Sequence, residues 1–71
     1  MMNTSWKPEV RINGQWSTNA LRFASKAEAE ASVQELMDRW WVPDQGRAVE
    51  SVDPVNYRFD FEGNRNVRIA N

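Results

Sequence analysis

Residues 6–12 read Trp6-Lys7-Pro8-Glu9-Val10-Arg11-Ile12, with even positions apolar and charge confined to odd ones. That period of two predicts a strand with one dry face. Pro8 lacks an amide donor and suits an edge strand with its nitrogen turned outward. Asn13-Gly14 follows, the strongest short signal for a hairpin. A two-residue loop would set Trp16 opposite Arg11, on the wet face. A three-residue loop, Ile12-Asn13-Gly14, pairs Arg11 with Gln15 and Val10 with Trp16. The second register is preferred because it gathers Trp6, Val10 and Trp16 on one face. Leu21 and Phe23 fall out of phase with Trp16, so either a bulge near Ser17-Thr18-Asn19 restores the phase or Trp16 points away from the core.

The next segment changes period. Ser25-Lys26-Ala27-Glu28 fits a capping box, with the Ser25 hydroxyl accepting from the Glu28 amide and Glu28 reaching back. Ala, Glu, Gln, Leu and Met then dominate, all good helix formers. At the helical period Ala29, Val33, Leu36, Met37 and Trp40 form one stripe, while Ala27, Ala31, Gln34, Glu35 and Asp38 lie outside it. Glu35 and Arg39 stand four apart in the favourable order. Pro43 ends the helix near Trp41, and Pro43-Asp44-Gln45-Gly46 reads as a turn.

Arg47–Val52 reads as a weak third strand closed by Asp53-Pro54. Val55, Tyr57, Phe59 and Phe61 then alternate with Asn56, Arg58, Asp60 and Glu62, and Val67 and Ile69 with Asn66 and Arg68. A loop at Gly63-Asn64-Arg65 would pair Phe61 with Val67, Phe59 with Ile69, and Asp60 with Arg68. The expected fold is α+β in two layers, ββαβββ, with one amphipathic helix on a three- to five-stranded antiparallel sheet. One domain spans residues 1–71, with residues 1–5 as a loose tail. The outer sheet face would carry Lys7, Glu9, Arg11, Asn56, Arg58, Asp60 and Arg68.

Composition narrows the picture. The chain has 71 residues, 41% hydrophobic and 27% charged, with a formal net charge of -1. The apolar content is too high and the net charge too low for a disordered chain. No apolar run can span a membrane and no basic segment followed by an apolar one opens the chain, so neither a span nor a secretory signal is expected. Cys and His are absent, which removes thiol chemistry, structural zinc and His-based acid–base work. The near-zero charge argues against a protein built mainly for phosphate backbones. Below about 70–80 residues a single core rarely supplies much stability. The four Trp are therefore expected mainly in the core, with self-association as the other route.

Several segments carry a resemblance. Trp6-Lys7-Pro8-Glu9-Val10, Asn19-Ala20-Leu21-Arg22-Phe23-Ala24-Ser25 with Glu28-Ala29-Glu30-Ala31, Arg39-Trp40, and Asp53-Pro54-Val55-Asn56-Tyr57-Arg58 occur in this order. From Trp6 to about Phe61 the chain resembles a group of small uncharacterised proteins encoded by bacteriophages and prophages. The resemblance implies the cytoplasm of an infected bacterium and brings no catalytic motif. By analogy, small phage proteins of this kind act by binding a host or phage protein.

Candidate chemistry is sparse. Glu28, Glu30, Glu35 and Asp38 read as a solvated helix face, no Gly-rich phosphate loop exists, and no EF-hand spacing appears. Catalysis and cofactors are not expected. The leading expectation is a non-enzymatic protein-interaction module. Its candidate contacts are Trp41, Arg39 and Arg47 around the helix end, with Trp16 and Arg58 on the sheet. The alternatives are a single-stranded nucleic-acid binder, using Trp16 with Arg11, Arg58 and Arg68 on one face, and a virion or structural subunit. A homodimer stays open, and a first strand at the sheet edge would offer its backbone to a partner.

Overall fold

In a computed structural model that describes residues 4–69, the helix–sheet order expected from the sequence is present. Strand β1 (Ser5–Ile12) leads into β2 (Gln15–Thr18), α1 (Lys26–Arg39), β3 (Gln45–Ser51), β4 (Tyr57–Asp60) and β5 (Arg65–Arg68). The fold is α+β with antiparallel pairing throughout. The strands divide into a three-stranded sheet, ordered β2-β1-β3, and a separate β4-β5 hairpin. Ser5, expected in a loose tail, is fully buried, and its hydroxyl donates to the Asp53 carbonyl at 2.6 Å. Met1 to Asn3 lie outside the described residues.

β1 is the central strand rather than an edge, yet Pro8 still obeys its chemistry. Trp6 exchanges two backbone hydrogen bonds of 2.8 Å with Phe23, on the β2 side of β1. Alternation turns Pro8 to that same side, into the gap between the end of β2 at Thr18 and the bridge at Phe23. No amide is needed there, and the Pro8 carbonyl accepts the Thr18 hydroxyl at 2.9 Å. The strand is central; the residue is locally at an edge.

Both hairpins differ in register from the expectation. Asn13 and Gly14 both have positive φ, 52° and 78°, and Arg11 pairs with Trp16 and Ile12 with Gln15. This is the two-residue loop with mirror-image turn geometry that Asn-Gly favours. In the second hairpin Val67 pairs with Arg58 rather than Phe61, and Asp60 with Arg65 rather than Arg68. Asp60 Oδ1 accepts the amides of Glu62 and Gly63, each at 3.1 Å. That carboxylate turn places Phe61 at the loop, where it is exposed and stacks edge-on against Phe59.

α1 packs over β1 and β3 and makes no contact with β2. Ser25 caps it: the Glu28 amide donates to Ser25 Oγ at 3.2 Å, and Ser25 Oγ donates to Glu28 Oε1 at 2.9 Å. The other carboxylate oxygen of Glu28 accepts the Phe59 amide at 3.0 Å. Glu28 therefore joins helix to hairpin and does not belong to a solvated face. Ala31, expected outside the apolar stripe, also packs on the cluster of Phe23, Ala29 and Phe59. Gly46, expected in a turn, lies in β3 opposite Val10 and directly beneath Val33 and Met37.

Candidate functional site

None of the four Trp is buried. The core is made by Val10, Phe23, Ala29, Val33 and Phe59, so the expectation of tryptophan packing fails. The physical reason differs for each ring. Trp6 is half-buried beside Phe23, with Lys26 Nζ 6.0 Å from its centroid. Trp16 lies on the face of the sheet that turns away from α1, because the two-residue turn pairs it with Arg11. Trp40 caps the helix with extended dihedrals (φ -140°, ψ 107°), which takes it off the helical stripe and leaves it 38% exposed. Trp41 is 89% exposed.

Two separate surfaces result. At the helix end Trp40, Trp41 and Val42 are all exposed and consecutive, ahead of a buried Pro43 that anchors the return of the chain. Beside them lies a cleft of about 240 Å³, lined by Pro8, Val10, Ile12, Leu36 and Trp40 with Ser17–Asn19 at its polar rim. The cleft exists because α1 leaves β2 uncovered. Arg39 stands on the last helical turn, largely exposed. Its Nε donates to Glu35 Oε2 at 2.6 Å, which leaves the terminal nitrogens free among the described residues.

The second surface is the outer face of the three-stranded sheet. The Arg47 guanidinium carbon sits 3.7 Å from the centroid of the Trp16 ring, a cation–π stack. Glu9 Oε1 holds the same guanidinium at 2.8 Å from Nε and 2.7 Å from Nη2, and Lys7 approaches Glu9 at 3.7 Å. Arg11 reaches Asp44 through two bonds, Nε at 3.2 Å and Nη2 at 2.8 Å. The Arg11 fork holds the Asp44 carboxyl below its ordinary value, and the carboxylate raises the guanidinium in turn.

The expected candidates are thus split three ways. Trp41 and Arg39 share the helix end, whereas Arg47 leaves that group and stacks on Trp16. Arg58 lies apart on the β4–β5 hairpin, opposite Val67. Arg68 pairs with Tyr57, on the side of Phe59 rather than of Arg58, so Arg11, Arg58 and Arg68 do not form one basic face with Trp16. Sequence reasoning missed Glu9 as the organiser of the outer face and Val42 as part of the helix-end patch. Only its neighbour Lys7 was legible for Glu9; Arg47 comes opposite it because β1 is central.

Among the described residues no three acidic side chains gather into a metal site, and no helix is long and apolar enough to cross a membrane. Comparison with protein family models, with curated proteins and with solved structures finds no match.

Proposed function

We propose that this protein is a non-enzymatic binding module that docks a partner protein through its helix end. The supporting observation is Trp41, 89% exposed, beside an apolar cleft that the helix leaves open. Folding alone gives no reason to expose such a ring, whereas binding does: a buried Trp removes about 150–250 Å² from water, and Trp with Arg dominates binding hot spots. In this reading Trp41 and Val42 cover an apolar segment of the partner, whose apolar side chain enters the cleft. A partner carboxylate beside it meets the free nitrogens of Arg39. Taken with the resemblance to phage-encoded proteins, the partner is a host or phage protein in the bacterial cytoplasm.

A second reading, single-stranded nucleic acid on the outer sheet face, draws support from Trp16 turned outward beside Arg11 and Arg47. Three ion pairs already engage the cations of that face, which leaves little charge for phosphates. The two readings separate by capture from bacterial lysate, run with and without nuclease treatment. The protein reading expects a stoichiometric protein retained by the wild type and lost on Trp41→Ala, with Trp16→Ala unaffected. Retention insensitive to Trp41→Ala defeats it. Recovery of nucleic acid from untreated lysate, lost on Trp16→Ala, replaces it with the second reading.

A further inference from the structure

β3 is a sheet edge of unusual openness. It pairs with β1 in an unbroken register from Ser5↔Ser51 to Arg11↔Gln45, without a bulge or a proline. Because Trp6 directs its backbone groups toward Phe23, alternation directs those of Ser5, Lys7 and Glu9 toward β3. Their partners Ser51, Val49 and Arg47 therefore face β1. The amide and carbonyl groups of Gly46, Ala48 and Glu50 point out of the sheet, and no hydrogen bond meets them among the described residues.

Protein edges are ordinarily guarded by charge, proline, a bulge or brevity. β2 is guarded by brevity, with four residues. β3 has seven, and its one cation, Arg47, is drawn back across the sheet to Glu9 and Trp16. Glu50 remains as the strand's one other charge, exposed on the helix side with Gly46 and Ala48.

From this geometry we infer that β3 pairs antiparallel with β3 of a second copy, giving a two-fold symmetric dimer with one continuous six-stranded sheet. The outward groups belong to even-numbered residues, so even must pair with even. Centred on Ala48, the pairing sets Glu50 opposite Gly46 and Arg47 opposite Val49. Centred on Val49, it sets Glu50 opposite Ala48 and Arg47 opposite Ser51. Neither brings like charges together, whereas a pairing centred on Arg47 would. The strand complements itself in two of the three central registers. A net charge of -1 adds little repulsion between copies, and the small core built on Phe23, Ala29 and Phe59 in so short a chain gains from association. The inference does not rest on the helix-end reading.

Sedimentation equilibrium and amide hydrogen exchange test it on the intact chain. The expected result is a dimer in which the amides of Gly46, Ala48 and Glu50 are protected, and exchange faster on dilution. Ala48→Pro removes an outward amide that has no partner among the described residues. Val49→Lys places a cation opposite Arg47 or opposite itself. Each should raise the dimer Kd by about tenfold or more, with circular dichroism confirming that the monomer stays folded. Should Ala48→Pro disturb packing under the helix, Val49→Lys alone decides, since its side chain faces outward. Trp41→Ala should leave the dimer intact. The proposal is overturned by a monomer at all concentrations up to about 1 mM, by free exchange of those three amides within a dimer, or by a dimer that Trp41→Ala dissolves and Val49→Lys does not.

Discussion

At Gly46 the helix comes so close to the sheet that a Cβ would overlap the side chains of Val33 and Met37. The residue is glycine for lack of space, with no positive φ involved. Gly46→Ala must push the helix away or force Val33 off its rotamer. We expect a loss of about 1–3 kcal/mol, read as a lower midpoint in urea or thermal unfolding. The corresponding change at Gly14 acts through a different cause, since space is open there and the backbone is left-handed (φ 78°). Trp16 shows the same dependence on surroundings. Its ring finds cover from a guanidinium held by Glu9, and so can sit on the outer face of the sheet.

Elements are joined here by single side chains. Glu28 closes the cap of α1 and also accepts the Phe59 amide, so the start of the helix and the start of the second hairpin share one carboxylate. Ser25→Ala removes a cap at a cost of about 1 kcal/mol. Glu28→Ala should cost more, about 1–3 kcal/mol, because it also strands the amide of a buried strand residue. The double variant should lose less than the sum, which a double-mutant cycle by denaturant titration would show. Full additivity would mean that the carboxylate serves helix and hairpin independently. A comparable role falls to the tie between Arg22 and the Asp53–Asn56 segment, where the Arg22 carbonyl accepts the amides of Asn56 and Tyr57 at 3.0 and 3.1 Å. Arg22 Nε meanwhile donates to Asp53 at 2.9 Å.

Across the whole molecule, three carboxylates make stability depend on pH. Hydrogen bonds from Arg11, from Arg22 and then Ser51, and from the Gly63 amide hold the carboxyls of Asp44, Asp53 and Asp60 respectively below their ordinary values. A depressed folded-state value contributes stability above the unfolded carboxylate range, near pH 4, that is lost as pH falls through the folded one. With no His in the chain, the thermal midpoint should stay level from about pH 5 to 7 and fall below about pH 4. A midpoint that rises on acidification would contradict the assignment of these pairs. Raised ionic strength should flatten the acid limb, since Asp44 and Asp53 are exposed, with Asp60, half-buried, responding less.

Much of this fold is written in local pattern. Helical spacing from Lys26 to Arg39, the Ser25 cap, the Glu35–Arg39 pair and the alternation of β1 and β4 follow from which residues stand next to which. So does the Asn13-Gly14 turn, whose two-residue form is the one its chemistry favours. The carboxylate turn at Asp60 had its signal too, an Asp three residues ahead of a Gly. What local pattern did not decide is which face of each strand is covered. An odd shift of register reverses every side chain at once, and the choice depends on where a single helix lies. By settling over β1 and β3, that helix left β2 bare and opened the cleft beside Trp40, while the strand order β2-β1-β3 brought Arg47 beside Glu9 and made β3 an edge. These are long-range outcomes of packing area, and they set the surfaces from which any function must come.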